Sequence, residues 1–222
     1  MGDGEESARF IRQLRGFVGA RGSRPQASMG ERCELCGQLL PERHGHVVHL
    51  EKRNLLCACR ACYLLFTAGG AGGGKYRAVP ERWVDLGEGV LTGEQWERAQ
   101  IPVDLAFFFF NSSLGRTVAF YPSPAGATES LLPLSTWREV EQANPALADL
   151  APDVEALLVY KRPEGFESWL VPIDACYELV GIVRRHWRGF QGGEEAWRAI
   201  EMFFAGLRSR VGGAAAAAGT AG

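Results

Sequence analysis

Apolar side chains at Phe10, Ile11, Leu14, Phe17 and Val18 recur at the spacing of one helical face, with Arg9, Arg12 and Arg15 on the other. That period predicts a short amphipathic helix over residues 5–18. Further on the period shortens. Residues 46–50 and 54–57 are β-prone and flank the polar turn Glu51-Lys52-Arg53, which predicts a hairpin, while Tyr63-Leu-Leu-Phe66 reads as the opening turn of a helix. Residues 105–110 and 116–121 flank a polar turn at 111–115, and residues 154–160 and 167–173 flank another at 161–165, so two more hairpins are expected. Helices are expected from a capping box at Thr92-Gly-Glu-Gln95 through residue 99 and from Ser135 through residue 143, the latter with Trp137 and Val140 inward. Two late helices follow, from Asp174 through about residue 187 and over residues 194–208. Strands joined by hairpins and followed by helices indicate an antiparallel α+β domain rather than a doubly wound sheet.

The run Phe107 to Phe110 sharpens that picture, because neighbouring side chains on a strand point to opposite faces. Either both faces of the sheet are covered or one offers aromatics to a partner. Coverage by the late helices is expected, with Trp197, Ile200, Phe203 and Phe204 as a stripe able to supply it. Cys176 and His186 fall on the helix that carries Tyr177, Val180, Ile182 and Val183, and read there as structural residues.

Punctuation divides the chain into a helix and linker over 1–30, a cysteine module over 31–68, an α+β domain over 81–210 and an Ala/Gly tail over 211–222 expected to be disordered. Gly69-Gly-Ala-Gly-Gly-Gly-Lys75 has the letters of a phosphate loop. Tyr76 stands where the magnesium-binding Ser or Thr would be and no buried strand precedes it, so it reads as a flexible inter-module loop.

Composition adds boundaries. The 46% apolar and 23% charged fractions over 222 residues are those of an ordinary soluble protein, and a net charge of −2 gives no pull toward nucleic acid or an acidic membrane. The acidic opening Met-Gly-Asp-Gly-Glu-Glu is unlike a signal peptide, and no apolar run approaches the length of a membrane span. A cytoplasmic protein is expected, in which clustered cysteines serve metals rather than disulfides.

The strongest chemical signal is such a cluster: five of the six cysteines lie at Cys33, Cys36, Cys57, Cys59 and Cys62. Cys33/Cys36 and Cys59/Cys62 are equivalent C-x-x-C turns, each able to aim two thiolates at one ion, and together they suit a tetrahedral zinc. Cys57 reads as a buried neighbour, with an alternative as a substitute ligand or a fifth sulfur for an iron-sulfur cluster. Zinc is expected over a rubredoxin-type iron because Cys62-Tyr63 lacks the second knuckle glycine and enters a helix. Four thiolates would close the shell and make the ion structural. Knuckle, hairpin, then knuckle at a helix start resembles a treble-clef zinc finger.

His44, His46 and His49 lie between the knuckles. With Asn54 and the second knuckle they partially resemble HNH nucleases, in which a hairpin His is the base and an Asp-His or His-His pair with a helix His or Asn binds the divalent ion. Tyr63 and Phe66 occupy the helix start here and no acidic residue adjoins His46 in the chain, so His46 would be a base without a complete ion site.

A second resemblance spans about residues 32–207. Cys33-Glu-Leu-Cys36, Leu56-Cys-Ala-Cys-Arg-Ala-Cys-Tyr-Leu-Leu-Phe66, Gly72-Gly-Gly-Lys-Tyr-Arg77, Trp169-Leu-Val-Pro-Ile-Asp174 and Trp187-Arg-Gly-Phe-Gln-Gly-Gly193 are similar to an uncharacterised bacterial family. The genes of that family tend to lie among those of high-affinity uptake nickel-iron hydrogenases and their maturation factors. The resemblance implies an accessory role and carries over no catalytic residue. The expected function is therefore a non-enzymatic zinc-binding accessory protein that contacts a hydrogenase subunit or maturation factor. An iron-binding electron-transfer protein and an HNH-like nuclease are the alternatives.

Overall fold

The structure, a computed structural model, describes residues 30–219 except 69, 131–133 and 190. The amphipathic helix expected over 5–18 and its linker fall outside the described residues. Two antiparallel sheets organise the rest. A three-stranded sheet has the order β2-β1-β3, from β1 Gly45–His49, β2 Asn54–Ala58 and β3 Tyr76–Ala78. A six-stranded sheet has the order β4-β9-β8-β5-β6-β7, from β4 Val84–Gly87, β5 Leu105–Asn111, β6 Arg116–Ser123, β7 Gly126–Ser130, β8 Glu155–Arg162 and β9 Gly165–Pro172.

The helices are α1 Arg60–Leu65, α2 Gly93–Arg98, α3 Leu134–Ala143, α4 Ile173–His186 and α5 Gly193–Gly219. The phenylalanine run answers its own question. Phe107 and Phe109 join Leu158, Tyr160, Trp169 and the inner faces of α4 and α5 in one core, while Phe108 joins Leu157, Val159, Trp96 and Trp137 in another. Both faces of the large sheet are therefore covered, which is why β5 and β8 read as nearly unbroken apolar runs. On α4 the buried positions include Ile173, Cys176, Leu179, Val180 and Val183, a helical stripe. On α5, Phe204 packs 4.5 Å from the Tyr160 ring and 5.2 Å from that of Trp169, as the sequence stripe anticipated. Cys176 is fully buried in the same core, its thiol pushed well up by burial and then by Asp174.

Three expectations need correction. Ser135 lies inside the first turn of α3 rather than at its cap, because the helix begins at Leu134. Asp174 is not the cap of α4: Pro172 holds that position, and the Asp174 carboxylate, in the first turn, accepts from the Ala175 backbone N–H and faces away toward β1. The last helix, expected to end at residue 208, runs through Gly219, and the alanines there favour that extension because alanine is the strongest helix former. The glycine loop turns over Ala71–Gly74 with Gly72 and Gly73 at positive φ, and Lys75 sits 3.5 Å from Glu51.

The small sheet is tied to the large one. Val48 and Val79 enter the core beneath α4, and Arg77 donates to the Pro152 carbonyl at 2.7 Å.

Candidate metal centre

The sulfurs of Cys33, Cys36, Cys59 and Cys62 come together, all lying within 4.8 Å of one another. Local backbone geometry explains why. The chain reverses after Cys33, where the Gly37 N–H donates to the Cys33 carbonyl at 2.7 Å and the Cys33 N–H to the Gln38 carbonyl at 2.8 Å. Gly37 closes this turn at φ +78°, a conformation glycine adopts without the strain a side chain brings. The second pair sits at a helix start: Cys59 is the N-cap of α1 and Cys62 lies in its first turn. The Glu34 N–H donates to the Cys57 carbonyl at 2.9 Å and so stitches the first turn to β2, which leads directly into Cys59. Gly45 permits the helix to close on the hairpin, since a Cβ there would come within 2.5 Å of the Tyr63 ring.

Electrostatics supports a cationic occupant. Burial works to raise the Cys33 pKa, but hydrogen bonds from the backbone of Cys59, Leu35 and Cys36 outweigh it and bring the group down to about 6. Cys62 goes the other way, pushed up to about 12 by burial and then by its neighbouring sulfurs. At Cys36 the Gln38 backbone favours the thiolate, yet the sulfurs of Cys33 and Cys59 outweigh it and hold the pKa above its ordinary value. Sulfurs this close cannot all ionise on their own. A divalent ion at their centre removes that conflict, because a coordinating thiol loses its proton outright. A zinc-sulfur bond of about 2.3 Å sets tetrahedral sulfurs about 3.8 Å apart. The Cys36 and Cys59 sulfurs are 3.7 Å apart. The four residues can therefore hold a metal ion, which would supply a tetrahedral anchor between knuckle and helix.

Cys57 stands outside this group. Its sulfur donates to Glu31 Oε1 at 3.3 Å, its backbone N–H donates to Glu34 Oε2 at 2.7 Å, and burial followed by the Glu31 carboxylate pushes its thiol up to about 12. It gathers instead with His44 and His46. His49 is buried apart from them, edge-on to Tyr76 at 4.7 Å.

The chain carries no acidic neighbour beside His46, but the fold supplies one. Asp174 Oδ2 lies 2.8 Å from His46 Nδ1 across a sequence separation of 128 residues. Local pattern gave Asp174 the look of a helix cap, and no nearby residue signals its partner. His44 and His46 line a cleft of about 870 Å³ together with Tyr63, Glu81, Asp174 and Arg210. At the helix start, the Tyr63 hydroxyl donates to the Val79 carbonyl at 2.9 Å and serves packing.

Comparison with known proteins places the chain at this point. Residues 32–211 match the family described as "Family of unknown function (DUF5947)". The chain belongs to that family. The match takes in both sheets and the cysteine cluster, so the family is defined by the whole assembly rather than by the cysteine module alone. No curated protein and no solved structure matches the chain.

Proposed function

We propose that this member of the family is a zinc-stabilised accessory protein that works by docking a protein partner. The observation that carries the reading is α1: it starts on one cysteine of the cluster, contains another, and has none of its residues buried by the described part of the chain. Leu64 and Leu65 on this helix and Leu39 beyond the first knuckle are exposed, each within three residues of a cluster cysteine. A helix anchored by sulfur and offering leucines outward is a recognition element, since large apolar side chains left in solvent near one another mark contact sites. We read the module as a treble clef whose four cysteines close around a zinc ion, structural rather than catalytic.

The partner class, a nickel-iron hydrogenase subunit or maturation factor in the cytoplasm, rests on the resemblance of the cysteine block and the later motifs. Two measurements test the proposal. Protein purified without added metal should be colourless and contain zinc at the four-cysteine cluster. Hydrogenase processing and assembly should fail both in a strain lacking the gene and in one carrying Leu64→Asp with Leu65→Asp, whose product keeps its zinc. Normal assembly in both strains would overturn the docking role.

The positive φ of Gly37 after Cys36 also suits an iron knuckle, and thiolates alone do not choose zinc over iron. An electron-transfer protein is the second reading. A visible thiolate-to-iron absorption, with iron in place of zinc, would establish it. The nuclease reading gains a carboxylate partner for His46 and still lacks the helix-borne ligand, because Tyr63 is engaged with Val79. Divalent-ion-dependent cleavage that disappears in His46→Ala would support it.

A further inference from the structure

We propose that His44, His46 and Cys57 form a second metal site, separate from the four-cysteine cluster, that takes a borderline divalent transition ion of the zinc class. One ring nitrogen of each histidine and the Cys57 sulfur lie within 4.8 Å of one another. Proximity alone would be weak, but the hydrogen bonds around both rings point the same way.

His46 Nδ1 faces Asp174 Oδ2 at 2.8 Å, and His44 Nδ1 faces the Pro41 carbonyl at 3.0 Å. A carbonyl oxygen accepts and does not donate, and an ionised carboxylate does the same. Each Nδ1 therefore carries the proton, and each Nε2 is left with its lone pair. Metal-binding histidines are oriented in this way, the non-ligating nitrogen donating to a carboxylate or a backbone carbonyl. Two histidines two residues apart are both held in the ligating tautomer, one by a backbone carbonyl and one by a carboxylate from α4.

The second observation is an orphan. Among the described residues His44 Nε2 is buried and has no hydrogen-bond partner, on a side chain 8% exposed. A buried polar atom left unsatisfied costs free energy, and an unfilled ligand position is one of the explanations for it. Glu31 Oε2 is 3.8 Å from it, beyond hydrogen-bond reach, while Glu31 Oε1 accepts from the Cys57 sulfur at 3.3 Å. The Glu31 carboxylate thus stands beside two of the three donors in place to take a fourth position, its side chain open to solvent.

The fold builds this group on matched positions. His46 and Cys57 are direct cross-strand partners on β1 and β2, so their side chains share one face of the hairpin. His44 precedes β1, and its ring centroid lies 5.0 Å from that of His46. Two imidazoles and one thiolate suit zinc and its neighbours rather than magnesium or calcium. Three protein ligands with a replaceable fourth are the pattern of an ion that can be exchanged or can act on a bound molecule, in contrast to the closed cluster beside it.

The test is metal titration of the full chain after chelation, with Co(II) as a spectroscopic probe and Zn(II) as competitor. The wild type should take up two equivalents, the first giving the thiolate-to-cobalt absorption of a four-sulfur site. The His44→Ala/His46→Ala variant should take up one, with that absorption intact. Asp174→Asn should keep both equivalents but bind the second roughly 10- to 100-fold more weakly, because Asp174 positions His46 without touching the ion. A wild type that binds a single equivalent, or a double variant that still binds two, overturns the second site. Should the double variant misfold, imidazole nitrogen NMR of the wild type decides: the second equivalent should shift both Nε2 signals and leave both Nδ1 protons in place. Unmoved Nε2 signals overturn it. Because the first equivalent reports on the cysteine cluster and the second on the histidines, failure of one reading is distinguishable from failure of the other.

Discussion

The two sheets of this protein are held together by different forces. The six-stranded sheet buries apolar side chains on both faces, with Phe107, Leu158, Trp169 and Phe204 on one side and Phe108, Leu157, Trp96 and Trp137 on the other. The three-stranded sheet has no such interior of its own. Its buried residues are few, mostly small ones such as Val47 and Ala58 together with His49, its helix α1 has no buried residue among the described ones, and the Val48 side of the sheet leans on the neighbouring core. Hydrophobic burial scales with area, so a region this thin needs a further source of stability. The converging sulfurs could supply one by holding a metal ion, and the contrast makes the cysteine module the part of the molecule whose shape would depend on such an ion.

The largest expected effect follows from that dependence. Structural zinc contributes an apparent 10–16 kcal/mol, in round terms about the whole stability of a domain, in isolated finger peptides at neutral pH. Chelation, or Cys59→Ser, should abolish hydrogen-exchange protection across β1 and β2 while β5, β8 and β9 stay protected. Loss of protection in both sheets together would show that the regions fold as one unit, and unchanged protection in β1 would show that the module needs no ion.

The converse experiment is Phe108→Ala. Phe108 is fully buried and stacks on Trp137 with ring centroids 5.4 Å apart. Truncating a buried Phe costs about 3–5 kcal/mol through lost transfer energy and the cavity left behind. The urea midpoint should fall steeply, with the metal content per folded chain unchanged.

How much of this was legible beforehand differs between the two regions for the same physical reason. Alternation and turn chemistry are local, so the hairpins around residues 50–53, 112–115 and 163–164 were readable from their flanking apolar runs. The C-x-x-C turns were readable because each is closed by bonds within a few residues. Short edge strands were not: β3, β4 and β7 hold few apolar residues, and their pairing is decided by the strands beside them. The histidine group was half legible. His44 and His46 stand out in the sequence only together with His49, which the fold sets apart, while Asp174 reaches His46 from the far end of the chain and Cys57 reads as a buried neighbour of the cluster. What gave each its meaning was cross-strand register and helix docking, which no short window contains.

A mid-sized effect tests the seam between the regions. Arg82, on the segment joining β3 to β4, donates to both Glu155 oxygens at 2.7 Å and to the Asp149 carbonyl at 3.0 Å. The Glu155 side chain is 4% exposed, so Arg82→Ala would leave a buried carboxylate with the Ala151 N–H as its remaining partner among the described residues. Because the guanidinium itself is partly solvated, the cost should be about 2 kcal/mol, near that of a hydrogen bond to a charged group. Equilibrium unfolding should register that loss. If the seam is where the regions communicate, the variant should also lose its metal at a lower chelator concentration than the wild type.

The smallest effect sets the cleanest limit on the comparison. Thr92 and Gln95 cap α2 reciprocally: the Gln95 N–H donates to Thr92 Oγ1 at 3.2 Å, and the Thr92 N–H to Gln95 Oε1 at 2.9 Å. The cap fixes the helix that lays Trp96 against the large sheet, on the face away from the cysteine module. Thr92→Ala should cost about 1 kcal/mol. Perturbations at independent sites add within about 0.5 kcal/mol, so the same loss should be measured with metal bound and after chelation. A cost that changes on chelation would mean that the ion acts through the large sheet as well. Equal costs would confine its effect to the module.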